Sequence, residues 1–133
     1  MKKYALVGAS SRALYMFAKP LVKDFKDVAK ITGIFDINSV RAKYVQENTD
    51  PAIPVYTDFD QMMRETKPDA TIITTVDRFH HECIIKSLEY GCDAITEKPM
   101  TIDDEKCNAI LDAERRTGKK VIVTFNYRFA PYV

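Results

Sequence analysis

The chain has 133 residues, 46% of them hydrophobic and 29% charged, which is enough to bury one core without disulfide or metal support. Its 20 basic and 19 acidic residues nearly cancel and form no long block of one sign, which argues against a nucleic-acid or membrane-surface partner. Three cysteines without Cys-x-x-Cys spacing and no stretch of membrane-span length favour a cytoplasmic protein with reduced thiols and no bound metal.

Strand and helix patterns alternate along the chain. Six short apolar or β-branched segments predict buried strands: 4–7, 31–35, 53–56, 70–76, 93–96 and 121–125. Between them, apolar residues at helical spacing predict helices: 10–26, a segment capped by Asn38 or Ser39 that carries Val40, Tyr44 and Val45, 58–66, 79–90 and 101–117. We expect Pro20 to kink the first helix or to mark a late restart of it, Phe25 to share its apolar face, and Thr101 to cap the last helix. This alternation predicts one α/β domain over 1–133, a Rossmann-type doubly wound parallel sheet in the order 3-2-1-4-5-6.

The turn after the first strand, residues 8–13, is the first candidate for binding. In a dinucleotide fold, such a turn lets backbone N–H groups approach a diphosphate at a helix N-terminus. The sequence keeps Gly8 but has Ser10 in place of the second glycine of the usual G-x-G-x-x-G/A pattern. We expect the hydroxyls of Ser10 and Ser11 and the guanidinium of Arg12 to compensate as direct phosphate donors. Alone, the pattern is also that of an ordinary strand-to-helix turn.

Asp36 ends the second strand, where a carboxylate can accept hydrogen bonds from both ribose hydroxyls of an adenosine. A negative charge there repels a 2′-phosphate, so NAD is expected as the cofactor and NADP is disfavoured. The alternative interpretation is an aspartate that only caps the next helix.

Two further clusters follow later strands at the same expected edge. Thr74 and Thr75 end the fourth strand, and threonine hydroxyls there can hold a ribose or a diphosphate. His80, one turn into the next helix, is expected to line the pocket, more so than His81. Glu97 and Lys98 follow the fifth strand, and Lys98 is the candidate catalytic residue, through hydrogen bonding or proton transfer to a substrate. The alternative is a pair of surface charges.

Several of these motifs together resemble the Gfo/Idh/MocA oxidoreductase family. They occur in the family's order over essentially the whole chain: Gly8-Ala9 with Arg12, Phe35-Asp36-Ile37-Asn38, Thr74-Thr75 with His80, Glu97-Lys98-Pro99, and Asn126-Tyr127-Arg128-Phe129. The Glu-Lys-Pro tripeptide is the most specific of them. The sequence departs from the family at two positions. Ser10 replaces a glycine, and Val76 stands where the family often has proline or asparagine.

The resemblance implies an N-terminal NAD(P)-binding domain whose substrates are often sugars, inositols or related polyols. It places Lys98 near the nicotinamide and substrate, Glu97 beside the cofactor ribose, and Asn126 and Arg128 at the junction with a second domain. Because the family's second domain is absent from these 133 residues, we expect binding of NAD(H) without hydride transfer by this chain alone. Two alternatives stay open: an NAD-dependent glycoside hydrolase relative, and a non-catalytic NAD(H)-binding module. Assembly into a homo-oligomer is also left open.

Overall fold

A computed structural model of the protein describes residues 1–75, 79–97, 101 and 103–124. Its six strands are β1 (Lys2–Val7), β2 (Ala29–Phe35), β3 (Val55–Tyr56), β4 (Ala70–Ile73), β5 (Asp93–Glu97) and β6 (Val121–Thr124). They form one sheet in the order β3-β2-β1-β4-β5-β6, and every neighbouring pair is parallel. The predicted fold class and strand order are confirmed. The carboxyl ends of all strands therefore lie along one edge.

Helices connect the strands and cover both faces of the sheet. They are a π-helical segment (Ala13–Ala18) continuing into α1 (Lys19–Lys23), then α2 (Ser39–Glu47), α3 (Phe59–Thr66), α4 (His80–Glu89) and α5 (Asp104–Thr117). On one face, Leu6 of β1 belongs to a buried cluster with residues of the π-helical segment and α2. On the other face, its neighbour Val7 belongs to a cluster with residues of α3, α4 and α5. Burial on both faces explains why β1 reads as an uninterrupted apolar run.

The first helix differs from the prediction over 10–26. Pro20 has no N–H to donate to the carbonyl of Met16, so the usual i to i+4 ladder fails there. The chain widens before the proline, and the N–H of Lys19 bonds to the carbonyl of Leu14, five residues back. The helix ends at Lys23, and Phe25 beyond it is exposed, so its expected place on an apolar helix face was wrong.

The helix caps are set by side-chain oxygens that accept backbone N–H bonds. Asn38 caps α2 by accepting from the N–H groups of Val40 and Arg41, as one of the two predicted options required. The last helix is capped by Asp103, whose Oδ1 accepts from the N–H of Lys106 at 2.8 Å. The expectation that Thr101 provides this cap was wrong. Among the described residues, no helix combines the length and the apolar character needed to cross a membrane.

Candidate functional site

The turn after β1 is fixed between the two neighbouring strands. The N–H of Gly8 bonds to the carbonyl of Phe35 on the β2 side, and the N–H of Thr74 bonds to the carbonyl of Val7 on the β4 side. Gly8 has φ +98°, and a Cβ built on it would lie 2.9 Å from the backbone nitrogen of Thr75. Glycine is therefore required here both by the positive φ and by the close approach of the chain after β4.

Ser10, the departure from the usual glycine pattern, has its hydroxyl committed inside the protein. Its Oγ accepts from the N–H of Ala13 at 3.1 Å and donates to the Oγ1 of Thr74 at 3.3 Å. Thr74 in turn donates to the carbonyl of Gly8 at 3.0 Å. In this arrangement Ser10 caps the first helix and fixes the turn to the end of β4. A direct contact of the Ser10 hydroxyl with a phosphate stays a prediction, and Ser11 beside it is exposed.

Asp36 lies directly beside this turn. Its Oδ2 accepts from the N–H of Ala9 at 2.9 Å, and its Oδ1 accepts from the N–H of Asn38 at 2.8 Å. Because Asn38 caps α2, the interpretation of Asp36 as the helix cap was wrong. Each carboxylate oxygen can accept more than one hydrogen bond, so Asp36 keeps acceptor capacity for the two hydroxyls of a ribose.

Arg12 and Glu97 meet across the end of β4. Arg12 Nη1 lies 3.0 Å from Glu97 Oε2, which joins the turn after β1 to the end of β5. The residue Glu97 is only 7% exposed, and its Oε1 accepts from the hydroxyl of Thr124 at 3.1 Å. A buried carboxylate needs such partners, because the cost of removing its charge from water is large.

His80 is placed beneath the edge of the sheet. The residue is 1% exposed, with Nε2 2.9 Å from the carbonyl oxygen of Thr75 and Nδ1 3.4 Å from Oγ1 of Thr96. The imidazole thus connects the chain after β4 to the end of β5. This burial corrects the expectation that His80 lines a pocket: the ring supports Thr75, which is itself half-buried at the edge.

A cavity of about 510 Å³ opens between the turn and α2. It is lined by Ala9, Ser10, Ser11, Val40, Arg41 and Tyr44. The last three residues were missed as site residues by the sequence analysis. Val40 and Tyr44 are 75% and 55% exposed, whereas Ala42 and Val45 form the buried side of α2. Val40 and Tyr44 are apolar residues at helical spacing, so the sequence carried no signal that they are exposed at a cavity.

Lys98 and Asn126, together with Arg128 and the Val76 departure, fall outside the described residues.

Burial raises the pKa of the Cys83 thiol to about 11, and burial likewise raises the pKa of Cys92 to about 11. Thiols with such pKa values carry little thiolate at neutral pH, which agrees with the interpretation of both cysteines as packing residues.

The parallel sheet, the glycine turn after β1 and the carboxylate at the end of β2 define a Rossmann-type dinucleotide-binding domain. The family model described as an oxidoreductase family with an NAD-binding Rossmann fold, Gfo/Idh/MocA, matches residues 2–125. The chain belongs to this family, and NAD is the cofactor that its domain binds.

Individual relatives agree with this assignment. YteT of Bacillus subtilis (strain 168) is 39% identical over 136 residues, which cover 99% of this chain and 32% of YteT. D-glucoside 3-dehydrogenase of Escherichia coli (strain K12) is 34% identical over 76 residues, or 57% of this chain and 22% of that enzyme. The chain therefore spans at most about a third of the length of these relatives.

Solved structures show the same fold. The WlbA dehydrogenase of Chromobacterium violaceum, in complex with NADH and UDP-GlcNAcA, superposes with a TM-score of 0.84 at 26% identity, over 92% of this chain and 34% of that one. The scyllo-inositol dehydrogenase of Lactobacillus casei superposes with a TM-score of 0.87 at 21% identity, over 98% of this chain and 38% of that one, and this likeness supports the fold alone.

Proposed function

We propose that the chain binds NAD(H) along the carboxyl edge of its sheet, with the turn at 8–13 under the diphosphate and Asp36 on the adenosine ribose. The observation that carries the proposal is the contact between the N–H of Ala9 and the carboxylate of Asp36, because it fixes the ribose acceptor beside the diphosphate turn. The size of the cavity supports the proposal as well: it has about 510 Å³, enough for an adenosine, and its lining includes Ala9, whose N–H bonds to Asp36.

Each predicted residue has a part in this proposal. Gly8 lets the turn adopt its positive φ, Ser11 and Arg12 contribute backbone N–H groups or side-chain donors to the diphosphate, and Ser10 holds the turn against the end of β4. Thr74 and Thr75 form the floor at the end of β4, which His80 supports. Glu97 accepts from the ribose on the nicotinamide side. Lys98 and Asn126 stay predictions for the reacting end of the cofactor.

The charge of Asp36 sets the choice between NAD and NADP. A 2′-phosphate would have to lie against the carboxylate that, in NAD, accepts from the 2′-hydroxyl. The phosphate and the carboxylate are both negative and would repel each other. NADP(H) would also lack the hydrogen bond from the 2′-hydroxyl to Asp36. We therefore propose that the domain prefers NAD(H) over NADP(H), although Arg41 lines the same cavity.

The reaction proposed for the protein is hydride transfer between NAD(H) and a sugar- or polyol-like substrate. The support is that named relatives include a D-glucoside dehydrogenase and an inositol 2-dehydrogenase of Azotobacter vinelandii, 28% identical over 94 residues. NAD supplies the hydride acceptor, and the protein orients it, with Lys98 proposed to hold or move the proton of the substrate hydroxyl. We propose that these 133 residues bind the cofactor and do not turn over substrate alone.

Calorimetric titration with NADH and with NADPH tests the proposal. Asp36→Ala should weaken NADH binding by about ten- to a hundredfold, since a charge-assisted hydrogen bond contributes about 1.5–3 kcal/mol. The substitution should also reduce the difference in affinity between NADH and NADPH. Asp27→Ala is the matched control, because Asp27 is an exposed aspartate just before β2, at the opposite edge of the sheet. Equal affinities of wild-type protein and Asp36→Ala for NADH would remove Asp36 from the site. An absence of NADH binding by the wild-type protein would overturn the proposed function.

A further inference from the structure

The guanidinium of Arg12 lies between two places where negative charge is expected. Arg12 belongs to the turn at 8–13, and its side chain reaches Glu97 at the end of β5, with Nη1 3.0 Å from Oε2. The same nitrogen lies 3.4 Å from the sulfur of Met16, a weak acceptor. The side chain of Arg12 is 45% exposed, so much of this five-donor group still faces solvent.

Glu97 is more buried than its partner. Its side chain is 8% exposed, and besides Arg12 it has the hydroxyl of Thr124 as a hydrogen-bond donor. Within the part of the chain that the structure describes, Arg12 is the only cation paired with it. The two partners therefore differ. The buried negative charge of Glu97 is compensated by Arg12, whereas the guanidinium of Arg12 has further N–H donors that can bind a second anion.

We propose that Arg12 has two alternative anionic partners, Glu97 and the diphosphate of the dinucleotide, and that Glu97 regulates how strongly the turn binds a diphosphate. This inference rests on the proposed function, because it takes the turn at 8–13 as the diphosphate site. A diphosphate on the turn competes with Glu97 for one guanidinium, and the two anions also repel each other. When Arg12 turns to the diphosphate, the ribose hydroxyls of the nicotinamide side replace it as donors to Glu97.

The exchange makes the two halves of the cofactor cooperate. A ligand that carries only the diphosphate and adenosine breaks the ion pair between Arg12 and Glu97 when it binds Arg12. It has no hydroxyl that could replace Arg12 as the donor to Glu97. The complete dinucleotide brings hydroxyl donors to Glu97 in the same event. Glu97 is therefore a positioning residue for Arg12 that disfavours ADP-like fragments and favours intact NAD(H).

ADP separates the loss of the Arg12–Glu97 ion pair from the gain of new donors to Glu97, because ADP lacks the nicotinamide ribose. In calorimetric titrations of the full 133-residue protein, Glu97→Gln should bind ADP several-fold more tightly than the wild type, and NADH no more tightly. If Glu97→Gln only disturbed the fold, the variant would not bind ADP more tightly than the wild type. Glu89→Gln is the matched control, since Glu89 pairs with Arg116 on the protein surface, and it should leave ADP affinity unchanged.

The double variant tests whether Arg12 transmits the effect. Arg12→Met should weaken ADP binding, and Arg12→Lys should restore part of it. In Arg12→Met/Glu97→Gln, the gain from Glu97→Gln should disappear. This variant also keeps the test usable if Arg12→Met alone fails to fold, because it has no unpaired buried carboxylate. A gain that persists in full without Arg12 would show simple charge repulsion and overturn the exchange, as would unchanged ADP affinity in Glu97→Gln. Failure of wild-type protein to bind either ADP or NADH would instead overturn the proposed function, and this inference with it.

Discussion

Gly8 and Thr75 approach each other so closely that a β-carbon built on Gly8 would lie 2.9 Å from the backbone nitrogen of Thr75. Gly118 also has a positive φ, +70°, but a β-carbon there would meet nothing within 4 Å. The two glycines therefore separate the cost of backbone conformation from the cost of space.

Gly118→Ala should lower the free energy of unfolding by about 1 kcal/mol, the cost of a left-handed alanine. Gly8→Ala should cost about 1–3 kcal/mol more, because the added methyl also has to push the backbone after β4 aside. Urea denaturation of both variants measures the difference. Equal losses would contradict the close packing of Gly8 against Thr75.

His80 provides a second prediction, on the connection between β4 and β5. Replacing it with Phe removes the hydrogen bond to the Thr75 carbonyl in a buried position, and should lower the free energy of unfolding by about 1–3 kcal/mol. His81→Phe, at the neighbouring and less buried position, is the comparison and should cost less. Thermal or urea unfolding measures both, and an equal cost would place the two side chains in similar surroundings.

The cap of α5 gives a third prediction. Asp103→Ala should lower the free energy of unfolding by about 1 kcal/mol, because the N–H of Lys106 loses its acceptor. Thr101→Val should be neutral or slightly stabilising, since the buried Thr101 hydroxyl has no hydrogen-bond partner among the described residues. A larger loss for Thr101→Val than for Asp103→Ala would restore threonine as the cap.

Asp60 links stability to pH. Hydrogen bonds from the Tyr90 hydroxyl and then from Lys86 hold the pKa of this carboxyl below its usual 3.8. Since the folded pKa is the lower one, this stabilisation is present above pH 3.8 and is lost as the pH falls through the folded pKa. The side chains of Asp60 and Lys86 are 41% and 44% exposed, and solvent weakens such an ion pair, so Asp60→Asn should cost below about 1 kcal/mol at neutral pH.

That difference between wild-type protein and Asp60→Asn should shrink as the pH falls below 4. Tyr90→Phe, which removes the first of the two donors, should reproduce part of the effect. Urea denaturation at a series of pH values measures it. A difference that stays constant down to pH 2 would contradict the lowered pKa.

Local chemistry made part of the site predictable. Gly8 and Asp36 follow neighbouring strands of a sheet whose order follows from the alternation of strands and helices, so a contact between the turn after β1 and Asp36 could be expected before the structure, and the N–H of Ala9 makes it. The Arg12–Glu97 ion pair could not, because the lengths of β4 and β5 and the path of two long side chains decide it. The sequence also could not show that the hydroxyl of Ser10, predicted as a phosphate donor, bonds to Thr74 and to the N–H of Ala13.

The form of the first helix and the orientation of α2 were not predictable from the sequence. Pro20 indicated a disruption but not its form, which is a widened π-helical ladder before the proline. On α2, the pattern alone did not show which side faces the core, and Val40 and Tyr44 proved to be exposed beside the cavity.

The most direct test of the binding edge is an NMR titration of ¹⁵N-labelled protein with NADH, which is practical for a chain of 15.2 kDa. We expect the backbone amides of Ala9, Ser11, Arg12 and Asn38 to shift most as NADH is added. Amides at the opposite edge of the sheet, such as those of Lys3 and Lys120, should keep their positions. The largest shifts at that opposite edge, with the amides of the turn unmoved at saturation, would contradict it.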